Sequence, residues 1–202
     1  EREARLREEK ANLGETRRMI EDEQLAQQLD GLGLRVKEVK ADGHCLYKAL
    51  EHQLRLGGFP QPLTYRDLRR RAAAFMREHP ADFLPFIDAG DPLLGLGPPP
   101  GGEGGEGGEG AGEGDASPEA RFDRYCRDTE ETAAWGGQLE LQALSQSLGV
   151  AIRVVSAGMP VIEMGKDSAS HPAPAVLTYH QHAYGLGEHY NSTLPFPPRL
   201  AA

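Results

Sequence analysis

Apolar positions along this chain change their period several times, and each change marks an element. Residues 1–30, EREARLREEKANLGETRRMIEDEQLAQQLD, are charged throughout, with Leu6, Leu13 and Ile20 spaced by seven and Leu25 and Leu29 continuing at helical spacing. One apolar seam with Gly14 inside it is weaker than a two-position heptad. It therefore predicts a solvated helix whose last turns dock on a domain, rather than a coiled coil. Gly31 and Gly33 end this helix, with Gly31 placed as its C-cap. LRVKEVKA then sets Leu34, Val36 and Val39 against Arg35, Lys37 and Lys40, the pattern of a strand with one buried face. From Cys45 to Leu56 the period turns helical, because Leu46, Leu50 and Leu54 fall at i, i+4 and i+8. A second helix is predicted around Thr64–His79, opened by Thr64 and Asp67 as a capping pair and stopped by Pro80.

Residues 90–118, GDPLLGLGPPPGGEGGEGGEGAGEGDASP, hold twelve of the chain's 25 glycines and cannot build a core. They read as a flexible acidic insertion, whose closure cost grows only slowly with length. Periodicity returns with Phe122, Tyr125, Cys126 and Thr129 on one helical face, which makes Cys126 a core thiol. Leu139, Leu141, Leu144 and Leu148 predict a further helix ended by Gly149. Ile152–Val155, Val161–Met164 and Ala175–Tyr179 read as short strands rich in β-branched residues. Helices packed with an antiparallel or mixed sheet give an α+β class. The expected organisation is a charged helix over 1–30 and one domain over 31–200, interrupted by the insertion.

Composition narrows the function classes. At 202 residues, 39% hydrophobic and 26% charged, the chain can hold one globular domain with a core. A net charge of −9 excludes a nucleic-acid binder, which needs a basic face. Glu103, Glu106, Glu109, Glu113 and Asp115 supply five of those charges, so the remainder carries an ordinary −4. No apolar run is long enough to cross a bilayer, and no secretory or lipidation signal is legible. Two cysteines, Cys45 and Cys126, support neither a disulfide framework nor a four-thiolate zinc site. A monomer in a reducing intracellular location, cytoplasmic or also nuclear, is expected.

The chemistry centres on DGHCLYKAL. A cysteine nucleophile needs a base to deprotonate it and a group to orient that base. Cys45 at a helix N-terminus would feel the positive end of the dipole, which favours thiolate, so a low-pKa, peroxide-sensitive thiol is expected. Backbone N–H groups of the turn at Asp42–Cys45 could meet an oxyanion, and Gly43 makes that turn sterically cheap. His44 is adjacent to Cys45, and adjacent side chains diverge, so the base should come from elsewhere. His180 and His182 would share a strand face, but no spacing here imitates a zinc motif. GLGEHYN delivers His189 onto a short strand with Asn191 two residues on and on the same face, where an amide can fix the ring tautomer.

DGHCLYKAL, AAWGGQLELQALS and HAYGLGEHYNS, in that order, resemble the ovarian tumour (OTU) family of cysteine deubiquitinases, and within it the branch of OTU domain-containing protein 6. The likeness spans residues 30–194. It implies a papain-like α+β fold, hydrolysis of isopeptide bonds at the C-terminal glycine of ubiquitin, ubiquitin and ubiquitinated proteins as partners, and no metal or organic cofactor. On this resemblance Cys45 matches the nucleophile and His189 the general base. Asp42 matches the acidic residue of the Cys loop, beside Gly43 and His44, and Asn191 matches the residue that orients the histidine; which of Asp42 and Asn191 does the orienting stays open. Trp135, Gly136, Gly185, Gly187 and Glu188 are candidate substrate-binding positions, although a packed aromatic followed by a turn is the plainer reading of Trp135–Gly137. The insertion lies between FLPFI and FDRYC, where family members carry a variable loop near the substrate. The rival readings are a catalytically silent ubiquitin-binding module and a cysteine enzyme acting on another acyl substrate.

Overall fold

A computed structural model of the chain describes residues 2–88, 117–184 and 187–196. In chain order these form α1 (Arg2–Gly31), β1 (Leu34–Lys37), α2 (Cys45–Leu56), α3 (Tyr65–Glu78), α4 (Pro80–Asp88), α5 (Pro118–Glu131), α6 (Gln138–Leu148), β2 (Ile152–Ser156), β3 (Ile162–Met164), β4 (Ala175–Tyr184) and β5 (Gly187–Pro195). The strands make one mixed sheet in the order β1-β5-β4-β2-β3, with β2 and β4 parallel and the other pairs antiparallel. The architecture is the expected α+β. Of the 90–118 insertion, residues 90–116 lie outside the described residues.

Period-two alternation splits the apolar side chains between the two sheet faces. Ile152, Val154, Ala175 and Leu177 point into the main core, with Leu46, Leu50, Leu68, Met76, Phe83, Cys126 and Leu144 from the helices. Val155 and Val176 point the other way, against Leu25 and Leu29 of α1 and Leu34 and Val36 of β1. The sheet is thus covered on both faces, by α1 on one side and the remaining helices on the other.

Local signals act where expected. Thr64 and Asp67 form a reciprocal capping box at the start of α3. Ser117 caps α5 ahead of Pro118 at its first position, and Gly149 ends α6 in the left-handed conformation at φ 62°. Three details differ. The left-handed glycine after α1 is Gly33 (φ 67°), and Gly31 is the last helical residue, because the chain completes another half turn before entering β1. Docking of α1 uses Glu21, Leu25 and Leu29, while Ile20 of the heptad seam is 51% exposed; the Leu6 and Leu13 side chains lie outside the described residues. Finally, α4 follows at once on α3, with Pro80 at its first position, where a missing N–H costs nothing. Reading Pro80 only as a stop conceals that helix.

Because α2 carries Cys45 and its apolar seam is fully buried, its core contacts also position the site. Leu50 is 0% exposed. Leu50→Ala should cost about 2–5 kcal/mol of stability, read by urea unfolding, since a helix packed on two sides cannot collapse into the cavity. A loss below about 1 kcal/mol would mean that α2 is not held by this seam.

Candidate active site

Cys45 opens α2, with His44 in the N-cap position. The preceding turn closes on itself. Asp42 accepts the His44 N–H through Oδ1 at 2.9 Å, and its main-chain carbonyl accepts the Cys45 N–H at 3.0 Å. Oδ2 of Asp42 pairs with Lys48 Nζ one turn along the helix. Burial raises the Asp42 pKa, but the Lys48 ammonium and the His44 N–H together outweigh it, and the carboxyl lies below its ordinary value. Asp42 therefore shapes the Cys loop. Two of the loop N–H groups expected to meet an oxyanion, those of His44 and Cys45, are paired internally.

A buried arginine that the sequence reading overlooked clamps this loop from behind. Arg69 of α3 is 2% exposed. It donates to the Gly43 carbonyl (2.5 Å), the Ala134 carbonyl (2.6 Å), the Thr129 carbonyl (2.7 Å) and His44 Nδ1 (3.0 Å). Its guanidinium also lies 4.2 Å from the Tyr47 ring centroid. Thr129 stands in the last turn of α5, so the cation meets an orphan carbonyl at the negative end of that helix. His44, bound by Arg69 and set against the Tyr65 ring at 4.8 Å with a 44° tilt, belongs to the loop's framework. Burial, and then the Arg69 charge, lower its pKa.

Gly43 is required by close approach: a Cβ there would lie 1.8 Å from the Ala133 carbonyl oxygen. At Gly136 a Cβ would meet the Tyr47 ring at 3.0–3.1 Å. Trp135 and Gly136 therefore sit in the wall of the site rather than apart from it. With Cys45, Met159, Ile162, Tyr179 and Tyr190 they line a cleft of about 460 Å³ that also takes in Glu188. The plainer reading of Trp135–Gly137 as core and turn captures only half of their placement. Buried Glu140 holds that segment by accepting the Gly137 N–H at 2.6 Å and the Tyr125 hydroxyl. Glu188 is exposed, Gly187 opens β5 opposite Tyr184, and Gly185 lies outside the described residues.

Gln53 staples the cysteine helix to the histidine strand. Its amide donates to Ser192 Oγ and the Thr193 carbonyl, both at 2.8 Å, and accepts the Val176 N–H at 3.0 Å. The result brings Cys45 to the backbone N–H of Tyr190, the residue after His189. His189 itself is 3% exposed. Its Nε2 lies 2.9 Å from Asn191 Oδ1 and 3.1 Å from the Val39 carbonyl. Both neighbours are acceptors, so Nε2 carries the proton and Nδ1 is the basic nitrogen. Asn191 is thus in direct contact with the ring. The strand is longer than expected, nine residues instead of a short segment. His180 and His182 do not share an environment: beyond His180 the β4–β5 register shifts, leaving His180 buried and His182 exposed.

The expectation of a low-pKa thiol is not met. Burial pushes the Cys45 thiol above its ordinary value, and Asp42 adds to the rise, against partial relief from the N–H groups of Tyr190 and Leu46. Desolvation at 7% exposure is the first cause of that rise. Cys126 is raised further, to about 11, again by burial first. Among the described residues no three His, Cys, Asp or Glu side chains gather as a metal would require.

Arg69→Leu should cost at least about 3 kcal/mol by urea unfolding, because three carbonyls, that of Thr129 buried, and an imidazole lose a charged donor together. Arg69→Lys should recover only part of that, since one ammonium cannot reproduce the planar fork. Equal stability of wild type and Arg69→Leu would refute the clamp.

Comparison with known proteins agrees with this geometry. Residues 40–190 match the family model described as OTU, OTU-like cysteine protease. The chain is 41% identical over 192 residues to the Deubiquitinase OTUD6B of Mus musculus, covering 95% of this chain and 57% of that protein. It thus spans little more than half the length of the curated relatives it matches. Among solved structures, the OTU domain of OTUD1 superposes with a TM-score of 0.54 at 19% identity, covering 88% of this chain and 96% of that one. An OTU domain in complex with ubiquitin superposes at 0.50 with 22% identity, covering 79% and 69%. With the family model spanning most of the chain, and the Cys45 loop and the His189 strand converging within that span, this protein belongs to the OTU-like cysteine proteases.

Proposed function

We propose that this chain is a cysteine deubiquitinase in which Cys45 is the nucleophile, His189 the general base and Asn191 the group that orients the base. One observation carries the reading. A helix-terminal thiol lies against the residue after a histidine whose Nε2 proton is fixed by two acceptors, which leaves Nδ1 for proton transfer. The name of the 41% identical relative and the ubiquitin complex of a fold neighbour support ubiquitin as the acyl donor.

In this mechanism the Cys45 S–H proton passes to His189 Nδ1 as sulfur attacks the carbonyl carbon of ubiquitin's last glycine. The tetrahedral intermediate collapses with cleavage of the C–N bond, and the lysine amine leaves with the proton from His189. Water, deprotonated by the same nitrogen, then hydrolyses the thioester and restores the thiol. Cys-loop N–H groups stabilise the oxyanion, which requires Asp42 to release the His44 N–H. The cleft beside Cys45, floored by Trp135, Tyr179 and Tyr190, holds the extended acyl segment, with Glu188 at its rim.

The raised thiol and the internally paired loop also favour a second reading, a ubiquitin-binding domain that turns over slowly or not at all. A ubiquitin probe with a C-terminal electrophile separates the two. Labelling is expected for wild type and Cys126→Ala and lost in Cys45→Ala. Binding of ubiquitin without labelling would select the second reading, and labelling of Cys45→Ala would remove Cys45 as nucleophile.

The direction of the Cys45 shift sets a pH dependence. A group whose pKa is raised stays protonated at neutrality, so its thiolate fraction grows with pH up to and beyond the ordinary thiol range. Alkylation of Cys45 by iodoacetamide should therefore climb roughly tenfold per pH unit through neutrality. A rate already flat below about pH 7 would reveal a preformed thiolate.

A further inference from the structure

One face of the β4–β5 ladder carries four buried polar side chains in two cross-strand pairs: His180 opposite His189, and Thr178 opposite Asn191. Hydrogen-bond logic leaves them a single assignment. The Val39 N–H can only donate, and it meets Asn191 Oδ1 at 2.7 Å, so that end of the amide is the oxygen. The same oxygen accepts His189 Nε2–H. Asn191 Nδ2 must then donate to its neighbour at 3.3 Å, His180 Nε2, and that nitrogen carries no proton. The Thr178 hydroxyl, 3.0 Å from the same nitrogen, donates as well. A neutral His180 thus holds its proton on Nδ1.

Nδ1 of His180 faces α1. It has no direct hydrogen-bond partner, stands 3.9 Å from Asp22 Oδ1, and lines a cavity of about 220 Å³ with Arg18, Asp22, Glu38 and Asn191. The same helix holds the strand that bears His180. Glu21, 7% exposed, accepts the N–H groups of Gln181 (2.6 Å) and His182 (2.9 Å) through its two carboxylate oxygens, where the ladder register shifts. Leu25 and Leu29 anchor the helix beneath. All of these α1 residues lie outside the 40–190 span of the family match.

We propose that His180 is a positioning residue: it locks the Asn191 amide with its oxygen toward His189, and α1, through Glu21, holds His180 in register for that task. Without the Nε2 acceptor, the Asn191 amino group is buried with nothing to bond. The Val39 N–H alone would then hold the amide oxygen toward His189, and an inverted amide would set an N–H₂ against His189 Nε2–H, two donors facing each other, so that the base would lose its tautomer. The N-terminal helix becomes a working part of the catalytic domain rather than a tether. The inference deepens the assignment of Cys45, His189 and Asn191 made above and rests on it.

Nitrogen-15 histidine spectra of the whole chain test the lock without any activity. The expected pattern is a protonated Nδ1 on His180 and a protonated Nε2 on His189; a protonated Nε2 on His180 overturns the proposal. Kinetics with a fluorogenic ubiquitin substrate test its consequence. His180→Leu should lower kcat about tenfold or more with KM within about twofold, while His180→Gln, whose carbonyl can stand in for Nε2, should stay within about threefold of wild type. In an Asn191→Asp background, where the carboxylate has no donor end to orient, His180→Leu should change kcat by less than about twofold. Glu21→Ala should lower kcat about threefold or more and shift the His180 signals. Equal losses for the Leu and Gln variants, or equal losses in both backgrounds, would reduce His180 to a structural role and overturn the lock. An unchanged Glu21→Ala would remove α1 from it. A wild type with the expected tautomers but no turnover would defeat the deubiquitinase reading while upholding the lock.

Discussion

The guanidinium of Arg69 is the interaction on which the site depends. A buried cation is tolerated only if its donors are filled, and here the acceptors come from three separate segments: the Cys loop, the end of α5 and the turn into α6. Meeting that demand draws the three together. It forces the Gly43 backbone against Ala133, so tightly that no side chain fits, and it packs the Tyr47 ring beneath the cation and against Gly136. The walls of the cleft follow from the same contacts, since Trp135 and Gly136 continue directly from Ala134. The position of Cys45 is thus set from behind, by a residue outside the lining of the cleft.

In front of that scaffold, two electrostatic effects compete at the thiol. Burial disfavours the thiolate, and the N–H groups of Tyr190 and Leu46 offset it only in part. Asp42 adds to the opposition, while its own charge is spent on Lys48 and the His44 N–H. In the proposed mechanism the thiol therefore needs His189 as its base. That requirement gives weight to the tautomer of His189, which the Val39 carbonyl and Asn191 determine together.

Much of this was legible in the sequence because it is local or periodic. The boundaries of α2 followed from three leucines at helical spacing, the start of α3 from Thr64 and Asp67, and the end of α6 from Gly149. The pairing of His189 with Asn191 followed from the two-residue repeat of a strand. Gln53, Arg69 and Glu140 were not legible, since buried polar residues look like any surface residue until their partners are known. Arg69 stands in a run of three arginines, of which Arg70 and Arg71 have ordinary surface or helix-end partners. Only the amphipathic phase of α3, which places position 69 beside buried Leu68, Ala72 and Ala73, hinted at the difference.

By itself the sequence determined the elements, the family motifs and the candidate nucleophile and base, because backbone periodicity and motif order are properties of neighbours along the chain. Tertiary structure alone decided that Asn191 and the distant Val39 carbonyl share the His189 Nε2 proton, and that burial raises the Cys45 thiol. It likewise set Glu21 of the docked helix α1 against the N–H groups of Gln181 and His182. The reason is common to all three: desolvation and hydrogen-bond satisfaction depend on which distant groups come together, and neither has a value until the chain has folded.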